Sequence, residues 1–267
     1  MHTRTCPICT TATNTDDDDL RSVSMSDVAS SEPVPLELFP EDWRRGLAVV
    51  AHPDDMEYGA AAAVARWTAQ GKEISYVLVT DGEAGISTLP PDEVGPLRRQ
   101  EQIDSCAVVG VDEVEFLGLP DGAVVEGLAL RGDLAAAIRR HRPEVVLSIN
   151  YRESWGGHSW NHADHRAVGR ALLDAVRDAA NPWVFTDRGE AWAGVRFVAF
   201  SGSPEPTHAV DTTATFDLGV RSLEAHRVYL EHLDGDMASP DEFLRGAASS
   251  TGPRIGVELA ASFELVG

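Results

Sequence analysis

Short apolar runs alternate with helix-like segments along the chain from about residue 46 onward. Residues 47–51 and 74–80 are largely apolar, which is the pattern of parallel strands that are covered on both faces. Residues 60–70 are rich in alanine and are followed by Gly71, as is typical of a helix and its C-terminal end. Strand–helix alternation at this spacing predicts right-handed βαβ units and a mostly parallel sheet.

The same pattern continues into the C-terminal third of the chain. It predicts further strands over residues 113–117, 144–149 and 195–200, and further helices over residues 97–109, 128–141, 163–179 and 216–233. We therefore expect one α/β domain over residues 41–267. In open parallel sheets, ligands bind beyond the carboxyl ends of the strands, so the loops that follow the strands are where chemistry is expected.

Residues 1–40 differ in composition from the rest of the chain. They contain seven acidic residues and two arginines, including an Asp block at 16–19, and few large apolar side chains. Because such a segment buries too little surface to offset its ordering entropy, we predict a flexible acidic arm. Cys6 and Cys9 form a C-x-x-C motif without the second pair that a zinc ribbon needs, so an unpaired remnant is favoured over a metal or redox site.

Charge and lysine content disfavour several classes of function. Over 267 residues the chain has 43 acidic and 22 basic residues and a net charge of -21, which argues against a nucleic acid or an anionic membrane as the main partner. Lys72 is its single lysine and has no Gly-rich segment before it, so a Schiff-base enzyme and a P-loop protein are both disfavoured. Neither a signal-like segment nor an apolar run of membrane-spanning length is present, and we expect a cytoplasmic protein without a membrane span.

The first motif with catalytic chemistry follows the first predicted strand. The segment AHPDD at residues 51–55 places His52, Asp54 and Asp55 at the carboxyl end of that strand. One carboxylate can cap the helix that follows, but capping occupies only one of the two. Adjacent Asp side chains point in different directions, so one can bind a metal ion while the other faces a metal-bound water.

The second motif is NHADH at residues 161–165, at the start of the helix predicted over residues 163–179. His162 and His165 are three residues apart and share a face of that helix. Asp164 is suited to hydrogen-bond an imidazole and fix its tautomer, and we count it with the catalytic residues. A single histidine here is more often structural, whereas two histidines and an Asp beside a second His/Asp cluster favour a functional site.

Together the two motifs offer a metal site with a general base. His52, Asp55 and His165 are the mixed nitrogen and oxygen ligands typical of catalytic zinc, which keeps a position open for water. Zinc lowers the pKa of that water to about 7, so hydroxide is available to attack an amide carbonyl. Asp54 is then the candidate general base, and His162 the group that stabilises the oxyanion and protonates the leaving amine.

AHPDD followed by Gly59, together with the later H-x-D-H, resembles the LmbE-like (PIG-L) zinc deacetylases. The resemblance extends over about residues 46–235, since residues 80–85 (TDGEAG) are similar to the family's Gly-Glu loop and residues 116–122 (FLGLPDG) to its substrate loop. It implies a Rossmann-like three-layer α/β fold, one zinc ion per chain on the three ligands named above, and the same general base and oxyanion-stabilising histidine. The pattern AHPDDE is interrupted here by Met56, and we assign no catalytic role to the acid that follows, Glu57.

Substrate-binding candidates rest on weaker signals, and each has a structural alternative. The candidates are Glu83, Arg98, Asp121, Trp155 and His226. Glu83 is alternatively a solvated loop acid, Arg98 an ion-paired helix arginine and Asp121 a turn-forming Asp. Trp155 is alternatively an aromatic cover for the core, and His226 a packed helix histidine. Aromatic faces stack on sugars, so the loop at residues 151–160 is either a substrate wall or lid, or a cover for the core.

These features predict a zinc-dependent hydrolase that removes an N-acetyl or other N-acyl group from an amino sugar, with N-acetylglucosamine in a larger small-molecule conjugate as the expected substrate. An amidase that cleaves a bulkier acyl conjugate and a non-catalytic metal- or sugar-binding protein are the alternatives. A nucleotide-binding Rossmann module is disfavoured, because no predicted strand is followed by G-x-G-x-x-G.

Overall fold

The computed structural model of the chain describes residues 34–267. In this part the strands are, in chain order, β1 (Glu37–Leu38), β2 (Arg45–Val50), β3 (Glu73–Thr80), β4 (Glu113–Leu119), β5 (Val145–Ile149), β6 (Ser154–Gly156), β7 (Ser159–Trp160), β8 (Phe197–Ser201), β9 (His208–Asp211) and β10 (Ala260–Val266). The α-helices are α1 (Ala61–Ala69), α2 (Pro91–Val108), α3 (Leu128–His141), α4 (Ala163–Ala180), α5 (Phe216–Glu224), α6 (Arg227–Glu231) and α7 (Pro240–Thr251). None of these helices of residues 34–267 has the length and apolar composition that crossing a membrane requires. The C-x-x-C motif and the Asp block at 16–19 lie outside the described residues.

The strands β1–β5 and β8–β10 form one mostly parallel sheet. Within residues 34–267 its order is β1-β9-β10-β8-β5-β2-β3-β4, and β10 is antiparallel to both of its neighbours. β2 lies inside the sheet and pairs in parallel with β3 and β5. The strands β6 and β7 form a separate antiparallel hairpin. The predicted α/β fold with a mostly parallel sheet is confirmed.

Helices cover both faces of this sheet, which gives the predicted three layers. Alternate residues of β2 point to opposite faces: Ala48 and Val50 pack in the core that includes residues of α1 and α2, and Leu47 and Val49 pack in the core formed with α3 and α4. All four side chains are buried. Burial on both faces is the reason that β2 is a continuous apolar run instead of an alternating one.

α2 begins at Pro91 and not at residue 97, so its predicted start was wrong. Pro91 occupies the first helical turn, where a missing N–H costs little, and Asp92 and Glu93 place negative charge near the helix N-terminus. Pro96 lies inside the helix. It removes one backbone hydrogen bond without ending the helix, whereas the prediction took it as the boundary.

The helix predicted over residues 216–233 is two helices. α5 ends at Glu224 and α6 starts at Arg227, because His226 has a non-helical backbone conformation between them. The strands β9 and β10 and the helix α7 were not predicted. β10 matters for the topology, since it inserts antiparallel between β8 and β9.

The folded part of the chain begins before the predicted boundary at residue 41. β1 pairs in parallel with β9. Phe39 is buried, and its ring centroid lies 5.0 Å from that of Trp67 and 5.1 Å from that of Phe263. Residues 37–40 therefore belong to the sheet and its core, and the prediction of a flexible arm applies at most to the residues before them.

Phe39→Ala is expected to lower the free energy of unfolding by about 3 kcal/mol, because it leaves a cavity among packed aromatic rings. Leu38→Ala is the matched control, since Leu38 is 71% exposed, and its effect should stay within about 0.5 kcal/mol. Urea unfolding of the three proteins measures both values. Equal stability of the two variants would contradict the placement of residue 39 in the core.

Candidate active site

The two motifs meet in a cavity at the carboxyl ends of the parallel strands. The segment 51–55 follows β2, and the segment 161–165 runs from the end of the β6–β7 hairpin into the first turn of α4. Loops after β3, β4 and β8 also reach the cavity, which has a volume of about 620 Å³. This is the position that the parallel sheet predicts for a ligand site.

The donor atoms of His52, Asp55 and His165 converge at this cavity. His52 Nδ1 lies 3.1 Å from His165 Nε2, and Asp55 Oδ1 lies 3.0 Å from the same His165 nitrogen. Asp55 Oδ2 lies 3.8 Å from His52 Nδ1. Ligands at about 2.0–2.2 Å from a tetrahedral zinc ion are about 3.3–3.6 Å apart, so the donor types fit a zinc ion, and the separations of 3.0, 3.1 and 3.8 Å lie within about 0.3 Å of that range.

Hydrogen bonds fix the orientation of Asp55 and His165. Asp55 Oδ2 accepts a hydrogen bond from the backbone N–H of His52 at 2.9 Å, which closes the turn after β2. His165 Nδ1 lies 3.0 Å from Asn161 Oδ1. Asn161 is buried and donates from its Nδ2 to the carbonyls of Asn150 and Arg152. Asn161 is thus a functional residue that the sequence reasoning missed, although it is the first residue of NHADH.

The second ring nitrogen of His52 lies between two carboxylates. Its Nε2 is 3.2 Å from Asp164 Oδ2 and 3.0 Å from Asp121 Oδ1. Burial disfavours the charged imidazole, but the hydrogen bonds to Asp121, Asp164 and Asp55 raise the pKa of His52 well above its usual value. A carboxylate on the distal nitrogen of a histidine orients the ring and increases its basicity as a metal ligand.

Asp164→Asn is expected to weaken zinc affinity by about 10–100-fold, because it removes a negative charge from the distal nitrogen of His52. Asp164 is buried and also accepts hydrogen bonds from the N–H groups of Gly122 and Val124. Asp174→Asn on the same helix is the matched control, since the Asp174 side chain is 54% exposed. Competition with a chromogenic chelator measures the dissociation constants, and equal constants for the two variants would show that Asp164 does not support the metal site.

His162 offers a further nitrogen at the site. One nitrogen each of His52, His162 and His165 lies within 4.8 Å of the other two. His162 Nδ1 accepts a hydrogen bond from the backbone N–H of Asp164 at 3.1 Å, so the hydrogen of the neutral ring is on Nε2. Burial, then the imidazoles of His52 and His165, lower the pKa of His162. These contacts favour a neutral hydrogen-bond donor over the protonated ring that the predicted protonation of the leaving amine requires.

Asp54 is buried beside the converging ligands in a strained backbone conformation. Its φ is 85°, in the left-handed region that costs a non-glycine residue about 1–3 kcal/mol and is concentrated at functional sites. Its Oδ2 lies 3.2 Å from Arg98 Nη2, outside hydrogen-bond geometry. Burial raises the pKa of Asp54 to about 6, although Arg98 opposes the shift. A carboxylate with a pKa near neutrality is suited to accept and return a proton.

Three of the predicted substrate-binding residues, Arg98, Asp121 and Trp155, line the cavity. The Asp121 carboxylate is engaged, since Oδ1 contacts His52 and Oδ2 accepts a hydrogen bond from the N–H of Ala84. Glu83 is placed behind Asp121, and its Oε1 accepts a hydrogen bond from the backbone N–H of Asp121 at 2.8 Å. Glu83 and Asp121 therefore join the loops after β3 and β4.

Arg98 and His226 are the most deeply buried of the candidates. Arg98 is 2% exposed and reaches the cavity wall, but its guanidinium contacts protein groups. His226 is fully buried behind Arg98 and is not among the residues that line the cavity. A direct contact between His226 and a bound substrate is therefore not compatible with its position.

Aromatic side chains from separate parts of the chain line the cavity. Trp155 and Trp160 come from the β6–β7 hairpin, and the Trp155 ring centroid lies 5.9 Å from that of His165. Further apolar lining includes Tyr58, Tyr229, Met237 and Phe243. Tyr58 OH donates a hydrogen bond to the Met237 carbonyl, a contact between residues 179 positions apart, which no local sequence signal indicates.

Comparison with known proteins gives relatives among which several are named deacetylases. The model of a family described as "PIG-L: GlcNAc-PI de-N-acetylase" matches residues 47–176. The diacetylchitobiose deacetylase of Thermococcus kodakarensis is 26% identical over 192 residues, which are 69% of this chain and 70% of the relative. The 1D-myo-inositol 2-acetamido-2-deoxy-alpha-D-glucopyranoside deacetylase 2 of Saccharopolyspora erythraea is 31% identical over 172 residues, and the match spans 55% of this chain and 61% of that relative.

A solved structure with the same fold is that of N,N'-diacetylchitobiose deacetylase from Pyrococcus horikoshii, in complex with an inhibitor. It superposes with a TM-score of 0.76 at 25% sequence identity and covers 85% of each chain. The helices α6 and α7 lie beyond the range that the family model matches, yet residues of both line the cavity.

Proposed function

Residues 47–176 belong to the PIG-L family, and from that premise we propose that this chain is a zinc-dependent hydrolase that removes the N-acetyl group from an amino sugar in a larger conjugate. The predicted LmbE-like resemblance is confirmed, and so is the predicted class of amide-hydrolysing enzyme, since the relatives are named deacetylases. The metal, the substrate and the roles of the individual residues are the proposal.

The observation that carries the proposal is the convergence of His52 Nδ1, His165 Nε2 and the Asp55 carboxylate beside the buried carboxylate of Asp54. When bound by these three residues, zinc supplies an activated water and polarises the amide carbonyl. This donor set, with two imidazoles and one carboxylate, is one that zinc favours.

Asp54 accepts the proton of the attacking water on its carboxylate. Its Oδ2 is buried 3.2 Å from Arg98 Nη2, so Oδ1 is the oxygen available to the water in the cavity. Because the pKa of Asp54 is raised to about 6 by burial, the carboxylate can pass the same proton to the departing amine. Asp54 thus carries the proton from the attacking water to the departing amine. The products are a free carboxylic acid and a free amine.

His162 donates its ring N–H to the carbonyl oxygen as negative charge develops there. Its Nδ1 is held by the backbone N–H of Asp164, so the neutral ring carries its hydrogen on the other nitrogen. A positioned N–H donor at a developing oxyanion contributes about 10²–10³ in rate. The lowered pKa of His162 agrees with this neutral role and with Asp54 as the carrier of the amine proton.

The rest of the cavity supports an uncharged sugar conjugate as the substrate. Trp155 and Trp160 offer aromatic faces on which sugar rings stack. Of the Lys and Arg residues described by the structure, Arg98 alone lines the cavity, and its guanidinium already contacts Asp54 and the carbonyl of Pro53. No free cation in the described lining therefore favours a phosphate or carboxylate on the substrate.

An amidase that cleaves a bulkier acyl group is the second candidate, because a cavity of about 620 Å³ holds more than an acetylated monosaccharide. A panel of N-acetylglucosamine conjugates, each paired with the N-octanoyl form of the same conjugate, separates the two. Free-amine detection should find release from the N-acetyl member of at least one pair. Faster release from the octanoyl members would favour the amidase, and zinc binding without amine release from any member would favour a binding protein.

A further inference from the structure

Two residues of α2 hold the peptide unit that precedes the general base. The carbonyl oxygen of Pro53 accepts a hydrogen bond from Arg98 Nη2 at 2.6 Å. The N–H of Asp54, in the same peptide unit, donates to Gln102 Oε1 at 2.9 Å. Arg98 and Gln102 are four residues apart, so they lie on one face of the helix. Both ends of this one peptide are thus fixed by the same helix.

We propose that Arg98 and Gln102 are positioning residues that hold Asp54 in its left-handed conformation and so place its carboxylate for proton transfer. The orientation of the Pro53–Asp54 peptide plane sets the backbone angle φ of Asp54, which is 85°. An isolated Asp disfavours this conformation, so surrounding contacts must maintain it. The inference rests on the proposed role of Asp54 as the base.

Residues of the C-terminal part hold Arg98 in turn. The Tyr229 ring stacks under the guanidinium, with its centroid 3.8 Å from Arg98 Cζ. His226 Nδ1 lies 3.3 Å from Arg98 Nη1, and burial lowers the pKa of His226, so its neutral ring can accept this hydrogen bond. Glu101 Oε1 accepts a hydrogen bond from the N–H of Val228 at 2.6 Å and thereby ties the start of α6 to α2.

Contacts with other buried side chains also hold the amide group of Gln102 in place. It is fully buried, and its Nε2 donates to Glu57 Oε1 at 2.9 Å and contacts Cys106 Sγ at 3.3 Å. Glu57 also accepts a hydrogen bond from Ser105 Oγ. These contacts fix which amide atom of Gln102 faces Asp54, because the donor end is used by Glu57 and the acceptor end remains for the Asp54 N–H.

Removing a residue that positions the base affects the kinetic constants differently from removing a residue that contacts the substrate. A residue that binds substrate raises KM when it is removed, whereas a residue that places the base lowers kcat and leaves KM nearly unchanged. Arg98→Met and Gln102→Leu should each lower kcat by about 10²-fold, with KM within about threefold, since displacing a catalytic group by about 1 Å has an effect of this size. The double variant should lose less than the product of the two, because both substitutions release the same peptide.

The controls are the neighbouring residues of the same types. Arg99→Met and Gln100→Leu change exposed side chains of α2, which pair with Asp81 and Asp104, and kcat should stay within about twofold. His226→Asn, which keeps an acceptor near the position of Nδ1, should retain kcat, whereas His226→Leu should lower it by about tenfold. If a substitution of Arg98 or Gln102 prevents folding, the comparison of His226→Asn with His226→Leu still tests the inference.

The deciding experiment combines steady-state kinetics with crystal structures of the zinc-loaded wild type and of the Gln102→Leu and His226→Leu variants. If the inference is right, the zinc ligands are unchanged in both variants, and Asp54 leaves the left-handed region in at least the Gln102→Leu variant. An unchanged Asp54 in both variants, or a rise in KM with kcat intact, would overturn it. If the wild type releases no amine from any conjugate, the proposed function fails, while the Asp54 backbone in the crystal structures still decides the inference.

Discussion

Asp54→Asn lowers kcat by about 10³-fold and leaves the metal content unchanged, if Asp54 is the general base. The amide of Asn has nearly the same shape as the carboxylate but cannot accept the proton of the attacking water. Asp54 is not one of the three residues whose donor atoms converge, so zinc should be retained at about one ion per chain. Amine release and metal analysis on the same preparations measure both properties.

Asp81→Asn is the matched control for this substitution, because Asp81 lies on the next loop and pairs with the exposed residue Arg99. Its kcat should stay within about twofold of the wild type. A near-wild-type rate for Asp54→Asn would remove Asp54 as the base. Loss of zinc from Asp54→Asn would instead make it a ligand and require a new division of roles between the adjacent aspartates.

His165→Ala and His162→Ala are expected to have separate effects, although their rings lie close together, with centroids 5.3 Å apart. His165 Nε2 contacts both other donors, so its removal should empty the metal site and abolish turnover. His162→Ala should keep about one zinc ion per chain and lose about 10²–10³ in kcat, because it removes the N–H donor to the developing oxyanion.

Metal analysis after dialysis against buffer with a weak chelator distinguishes the two variants. Retention of zinc by His165→Ala would contradict its assignment as a ligand. Equal loss of zinc from both variants would favour a site of three imidazoles, since His162 also offers a nitrogen within 4.8 Å of the other two. Asp55 would then act by orienting His52 through the hydrogen bond to its backbone N–H.

Local signals explain why the fold and the two motifs could be predicted. β2 is a continuous apolar run because helices cover both of its faces, and α3 was predicted with the bounds that it has, Leu128–His141. The first motif directly follows β2, and the second lies in the connection from β5 to α4, and in a parallel sheet the carboxyl ends of such strands lie on one edge. Their meeting at one cavity therefore follows from the strand–helix alternation.

Long-range contacts explain what could not be predicted. Gln102 looks like any polar residue of an amphipathic helix, and only the arrival of the Pro53–Asp54 peptide gives it a role. The break between α5 and α6 falls at His226, whose buried ring contacts Arg98, 128 positions earlier in the chain. Phe39 was assigned to an acidic arm by composition, whereas its ring packs against residues that are distant in sequence.

The most direct test of the account is the metal dependence of amine release from an N-acetylglucosamine conjugate. The wild-type protein is measured as purified, after removal of metal by a chelator, and after addition of zinc to the stripped protein. The account predicts that release stops on stripping and returns at about one equivalent of zinc per chain. Release that continues unchanged in the metal-free protein would contradict it.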